Sequence, residues 1–369
     1  MGEKFDIDKF LIKAVSIGAS DVHLKVEERP VVRKDGKIIK VDMPPLTEED
    51  LNEILNVVVP KTARTRANSV FDLDFAYEIK GVSRFRVNLS RQLGKSAVVI
   101  RNVPYTIKNF DELNLPVAIE QFACLNNGIV LVTGPTGSGK STTIAALIDY
   151  INLNYQKHII TIEDPIEFIF TSKKSILSQR QVGIDTSCFP EGVKYALRQD
   201  PDVILIGEIR DRETVECALK ASETGHLVFA TLHTNDAIQT INRIINMFEP
   251  QDRQYIRTQV ATTLRGTISQ KLVNLKNAEG RHPACEVLVS TTTVKDFIIK
   301  DELEKIYDLV KKGSFNEMLT MNMSLYKLFK DGVITQEEAL DKSDNKNELQ
   351  QMLRGVFHGT SEQAGLLNE

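Results

Sequence analysis

The 369-residue sequence predicts an α/β protein with two domains. Three observations carry this reading. Up to about Arg101, stretches that alternate apolar and polar residues mix with two amphipathic helical stretches, the signature of an α+β domain. From about Val117 the apolar residues come as short continuous blocks separated by helical patterns, as strands buried on both faces of a parallel sheet require. After about Thr292 the chain becomes helical and charged.

Taken in order, Ile7, Phe10, Leu11, Ala14 and Val15 recur at helical spacing, and Gly18 is a natural stop. Asp21 to Val26 alternates and predicts a strand, and Val31 to Val41 a hairpin turning at Asp35-Gly36. Thr47-Glu-Glu-Asp resembles a capping box that opens the helix of Leu51, Ile54, Leu55 and Val58. Strands are expected over Phe71 to Ile79, Ser83 to Leu89 and Ala97 to Arg101. Pro104 to Pro116, bracketed by prolines, reads as a linker. The blocks at 129–132, 159–162, 203–206 and 227–230 predict the parallel sheet. Helices are expected within 303–311, 324–330, 336–341 and 348–354. The expected boundaries are therefore 1–103, a linker at 104–116, a core at 117–292, a helical region at 293–356 and a flexible tail at 357–369.

Hydrophobic residues make up 42% and charged residues 26%, the balance of a soluble globular protein. A net charge of −4 argues against a surface built as a whole for nucleic acid or anionic lipid. No apolar run approaches the roughly 20 residues that span a bilayer. The first residues lack a signal-like apolar core, and Asp6 stands where a myristoylation signal needs Ser or Thr. The expectation is a cytosolic protein. Cys124, Cys188, Cys217 and Cys285 form no CxxC pair, so inert core thiols are expected in place of a zinc site.

GPTGSGKST at 134–142 fits the phosphate-loop pattern G-x-x-x-x-G-K-[ST] at every fixed position. An apolar strand precedes it and a helical run follows, which is the context the motif needs. Glycines 134, 137 and 139 let the backbone curl with its N–H groups inward, and Pro135, Thr136 and Ser138 complete the cradle. The following helix turns its positive end to the phosphates. Lys140 should reach the β- and γ-phosphates of ATP, the Ser141 hydroxyl should bind Mg²⁺, and Thr142 continues the turn.

Two acidic groups follow predicted strands: Glu163-Asp164-Pro165-Ile166-Glu167 and Gly207-Glu208-Ile209-Arg210-Asp211. The carboxyl ends of parallel strands line the ligand crevice, so both should stand near the phosphates. Hydrolysis needs one carboxylate for the metal and another for the attacking water. Glu208 is assigned to Mg²⁺ and Glu167 to the water, with Glu163 its rival. A helix cap or a surface charge is the competing reading for each.

His226 and His233 stand seven residues apart around an apolar strand, a spacing unsuited to a shared metal. Each reads either as a sensor that feels the γ-phosphate or relays its loss to the neighbouring subunit, or as a hydrogen-bonded structural histidine. Arg84, Arg86, Arg91 and Arg101 crowd the end of the first domain with Lys95. Arg84 and Arg86 share a strand face. They read as a phosphate-directed finger supplied to another subunit, as a solvated face, or as a nucleic-acid patch. Only Phe85 and Tyr105 lie close by for base stacking, which is thin.

With these residues in hand, the chain resembles the type IV pilus retraction ATPases of the PilT/PilU kind, within the type II/IV secretion ATPase superfamily. The resemblance runs from about residue 5 to 355. It rests on GPTGSGKST (134–142), TIEDPIEF (161–168), LRQDPDVILIGEIRD (197–211) and TGHLVFATLHT (224–234), with GASDVHLK (18–25), SRFRVN (83–88), QRQVGIDT (179–186) and INRIINMFEP (241–250) in agreement. The resemblance implies a PAS-like N-terminal domain, a RecA-like ATPase domain and a homohexameric ring with nucleotide between the domains. It implies that Glu167 is the catalytic glutamate, Glu208 the Walker B glutamate, and His226 and His233 the His-box pair. It also implies that Arg84, Arg86 and Arg101 lie where family members direct arginines at phosphate.

Two departures refine this. The extra N-terminal domains and tetracysteine motif usual in assembly and secretion ATPases are missing, which favours retraction. The C-terminal motif typical of the PilT type, Ala-Ile-Arg-Asn-Leu-Ile-Arg-Glu, is matched poorly by residues 293–300, which leaves a PilU-like accessory role open. The expected partners are copies of the chain, an inner-membrane pilus platform protein and a paralogous pilus ATPase. The expected location is the cytoplasmic face of the inner-membrane pilus machine. An assembly or secretion ATPase, a RecA-like nucleic-acid motor and an ATP-binding scaffold are the alternatives, and no nucleic acid is expected.

Overall fold

The computed structural model describes residues 5–34, 36–60, 71–103, 106–278, 280–312 and 317–355. The expected flexible tail and Asp35 of the expected hairpin turn lie outside these residues. The chain forms two compact units, Met1–Thr106 and Ile107–Glu369.

Among the described residues the first unit is an antiparallel sheet carrying two helices. The helix α1 (Ile7–Ser16) is capped by Asp6, whose carboxylate accepts from Lys9 N at 3.1 Å. It buries Ile7, Leu11 and Ala14, three members of the apolar stripe. The helix α2 (Glu48–Val58) opens on the capping box: Thr47 Oγ1 accepts from Asp50 N while Asp50 Oδ2 accepts from Thr47 N. Six strands follow the order β3-β2-β1-β6-β5-β4. They are β1 (Asp21–Lys25), β2 (Val31–Lys34), β3 (Lys37–Lys40), β4 (Leu73–Ile79), β5 (Ser83–Gln92) and β6 (Lys95–Val103). On β5 the alternation is regular. Phe85, Val87 and Leu89 enter the core with Leu11, Leu51 and Ile54, while Arg84 and Arg86 face outward.

The second unit is a seven-stranded sheet in the order β13-β12-β7-β11-β10-β8-β9. All neighbours are parallel except β12 with β13. The predicted apolar blocks are its central strands: β7 (Gly128–Thr133), β8 (His158–Glu163), β10 (Val203–Ile206) and β11 (Leu227–Leu232). Every residue of β7, β10 and β11 is buried, which is why these strands show no alternation in the sequence. Helices cover both faces, as the two apolar clusters around Ile160, Ile204 and Val228 and around Val130, Leu205 and Phe229 require.

Three strands extend the sheet beyond the predicted four: β9 (Ile176–Gln181), β12 (Leu264–Asn274) and β13 (Arg281–Val289). The edge strand β9 is half-exposed and polar, so it lacks an apolar block. The C-terminal helices include Met321–Lys330, Gln336–Lys342 and Lys346–Leu353. They close a separate apolar cluster against Val273 of β12 and Ala284 of β13. Among the described residues no helix is long and apolar enough to cross a membrane.

Candidate active site

The strand order puts the carboxyl ends of β7, β8, β10 and β11 side by side, and the motif residues follow those ends directly. They enclose a cavity of about 180 Å³ lined by Thr136, Gly137, Lys140, Ser141, Glu163, Asp164, Glu167, Glu208 and His233, among others.

The loop from Gly134 leads into the helix α3 (Lys140–Asn154), whose N-cap is Gly139 in the left-handed region with no side-chain cap. The first N–H groups of α3 are therefore free of side-chain competition for an anion. The Lys140 ammonium donates to Gly134 O at 2.7 Å and Pro135 O at 3.0 Å, and lies 3.5 Å from His233 Nδ1. Burial lowers its pKa, and the charges of Glu208 and Glu167 offset this only in part. Ser138 is buried, and its Oγ has no hydrogen-bond partner among the described residues. An orphaned hydroxyl, a glycine-curled cradle and an uncapped helix start fit a phosphate tail. The hydroxyl of Ser141 and the nearby carboxylates are hard oxygen donors of the kind Mg²⁺ selects.

The acids differ in surroundings. Glu163 ends β8 and is 8% exposed. Thr161 Oγ1 donates to its Oε1 at 2.7 Å, Gln179 Nε2 to the same oxygen at 3.4 Å, and Glu167 N to its Oε2 at 3.3 Å. Burial raises its pKa against those bonds. Glu167, four residues on, is exposed at the cavity wall. Glu208 is half-buried just after β10. Its Oε2 accepts from Arg210 Nε at 2.8 Å, and its Oε1 lies 3.2 Å from His233 Nε2. Arg210 also approaches Asp164 at 3.9 Å. Gly207 brings β10 against β8: a Cβ there would stand 3.2 Å from Glu163 Cα.

The two histidines separate. His233 follows the carboxyl end of β11 and joins the cavity. His226 precedes the same strand's first residue, and six residues of strand put it about 20 Å away. Its Nδ1 is satisfied by Ala221 O at 2.9 Å and Thr224 Oγ1 at 3.2 Å, at the end of a helix. Within one chain a strand thus separates His226 from the loop, while His233 stands beside it.

The arginines belong to the first unit, on the outward face of its sheet. Arg86 and Arg101 are direct cross-strand partners, and Arg84 lies two residues along the same face. Arg101 Nε donates to Asp21 Oδ1 at 2.8 Å, and Arg86 stands 3.8 Å from Asp74. Burial alone would raise the Asp21 pKa, but the bonds from Arg101 and Ser20 bring it below the usual range.

Sequence reasoning overlooked Gln270 and gave Arg210 no role. Gln270 sits in a strand without a clear motif, and only the β7–β12 register brings it to the loop. Arg210 was in view but gained its meaning from the contact with Glu208.

Residues 3–302 match the type II/IV secretion system protein family. The chain is 39% identical to the type IV pilus retraction ATPase PilT of Pseudomonas aeruginosa over 338 residues, covering 92% of this chain and 98% of that one. It is 36% identical to the type IV pilus ATPase PilU of the same organism, covering 95% and 91%. Among solved structures it is similar to the pilus retraction motor PilT with bound ADP, with a TM-score of 0.89 and 44% identity over 95% of this chain and all of that one. The chain therefore belongs to the type II/IV secretion system protein family, and within it is similar to the pilus ATPases along nearly its whole length.

Proposed function

We propose that the chain is a pilus retraction motor that hydrolyses Mg-ATP. The observation that carries this is the convergence of Lys140, Ser141, Glu167, Glu208 and His233 on one strand-end cavity, in a chain similar to a PilT retraction ATPase over almost all of its length. Gly134 to Thr142 hold the phosphates, with Lys140 exchanging its loop carbonyls for phosphate oxygens. Ser141 and Glu208 would hold Mg²⁺, which when bound neutralises charge on the phosphates. Glu167, exposed to the cavity, orients the attacking water and accepts its proton. Glu163 is spent on Thr161, Gln179 and the Glu167 backbone, so its part is to fix the loop that carries Glu167. His233 stands between Lys140 and Glu208, where it feels the charge of the terminal phosphate.

In this reading the working form is a homohexamer in the cytoplasm, docked on an inner-membrane platform protein. Arg84, Arg86 and Arg101 serve the phosphates. A PilU-like accessory role is the second reading, favoured by the similarity to PilU and the poor match at 293–300. Lys140→Ala should abolish nucleotide binding and turnover in the purified protein, and leave cells with abundant, immobile pili. Normal retraction in that strain, with no paralogue present, would refute the motor. Loss of the fibres on deletion would instead mean assembly.

A further inference from the structure

The glycines of the phosphate loop are moulded on one residue of the neighbouring strand. β12 runs parallel to β7 with Ser269 opposite Thr133, so Gln270 lies beside the start of the loop. Gln270 is 3% exposed. Its Oε1 accepts from Thr143 Oγ1 at 2.7 Å, in the first turn of α3. Its Nε2 occupies the space beside Gly139, where a Cβ would come within 2.7 Å of it. Its backbone oxygen does the same at Gly134, at 2.3 Å from a Cβ there. Gly137, by contrast, has nothing within 4 Å of such a Cβ.

The template is itself held. Successive strand residues point to opposite faces. Lys271 turns to the C-terminal helices, where its Nζ donates to Asp344 at 2.7 Å and to Lys342 O at 2.8 Å. Asn274 N donates to Glu338 Oε1 at 2.8 Å. A group that shapes a site is effective only when its own support is rigid.

We infer that Gln270 is a positioning residue for the phosphate loop. It sets the entry at Gly134 with its backbone and the exit into α3 with its amide. The residue does not itself touch nucleotide. This rests on the reading that the loop holds ATP phosphates.

Gln270→Met keeps the volume and loses the acceptor, and Thr143→Val loses the donor at the other end of the same bond. Titration of the full-length protein with a fluorescent adenosine nucleotide and steady-state ATPase assays read the result. Each substitution should weaken nucleotide binding and raise KM about five- to tenfold with kcat changed less than about threefold, and the double variant should be no worse than the weaker-binding single. A merely structural residue would lower the melting temperature and the active fraction while leaving KM alone. Wild-type affinity in Gln270→Met, or additive losses in the double variant, would overturn the proposal. Should Gln270→Met misfold, Thr143→Val carries the same test. A wild-type protein that binds no nucleotide would sink the ATPase reading, and this inference with it.

Discussion

Arg210 grips Glu208 with two nitrogens on one oxygen: Nε at 2.8 Å and Nη2 at 2.7 Å from Oε2. The contact raises the Arg210 pKa, chiefly through that hydrogen bond. A carboxylate so engaged offers less charge to a metal, because the guanidinium and the metal compete for it. Arg210→Gln should therefore lower the Mg²⁺ concentration for half-maximal ATPase activity by about two- to fivefold, read from a magnesium titration at saturating ATP. A higher requirement would mean that Arg210 helps to build the site.

Glu163 and Glu167 should part cleanly under mutation. A general base or water-orienting group is worth about 10²- to 10⁴-fold in rate. Glu167→Gln should cost at least about a hundredfold in kcat with KM within about threefold, since its carboxylate faces the cavity. Glu163→Gln leaves one acceptor oxygen where two carboxylate oxygens now take three donors. Its first effect should be on stability and on the order of the 164–168 loop, read by thermal unfolding and hydrogen exchange. A larger kcat loss in Glu163→Gln at unchanged stability would reverse the assignment.

Much of this was written in the chain because buried parallel strands leave a distinctive pattern. The blocks 129–132, 159–162, 203–206 and 227–230 stand out because they have no solvent face, and their carboxyl ends named the acids. The capping box at Thr47 and Asp50 was legible for the same local reason. What stayed hidden depends on register across long sequence separations. Nothing near Gln270 says that it will meet Gly134 and Gly139, because that follows from how β12 pairs with β7. Nothing in the motif says which of His226 and His233 reaches the cavity, because spacing along a strand fixes the face a residue takes and leaves its end of the sheet open.

An acid outside the cavity of Lys140 and Glu208 predicts how stability depends on pH. Glu286 of β13 is 7% exposed, and its Oε1 accepts from Ala237 N at 2.8 Å. Burial pushes its carboxyl up to about 7, with Asp236 and Asp344 adding negative charge nearby. The folded state thus binds this proton more tightly than the unfolded chain does, so ionisation costs stability. The contribution is whole below the unfolded pKa of about 4.3 and is lost as pH rises through about 7. Glu286→Gln keeps an acceptor for Ala237 without the charge. Between about pH 4.5 and 8 the wild type should lose on the order of 3 kcal/mol relative to that variant in urea unfolding. Parallel profiles for the two proteins would show that Glu286 titrates normally.

The loop glycines should not be equivalent. Gly137 has a φ of +78° and open space around it, so Gly137→Ala meets only the left-handed backbone penalty of about 1–2 kcal/mol. Gly134 has a φ of +138°, and its Cβ would fall 2.3 Å from the Gln270 carbonyl oxygen and 2.7 Å from Ser138 Oγ. The Ser138 side chain can rotate away. The Gln270 carbonyl cannot, because β12 is locked to β7 on one side and to β13 on the other. Relief must come from the loop, which then leaves the curve that Gly134 gives it. Gly134→Ala should accordingly abolish detectable nucleotide binding while the sheet still folds, and Gly137→Ala should weaken binding about tenfold or less. Equal losses at the two positions, measured by nucleotide titration alongside circular dichroism, would show that backbone curvature alone dictates both glycines.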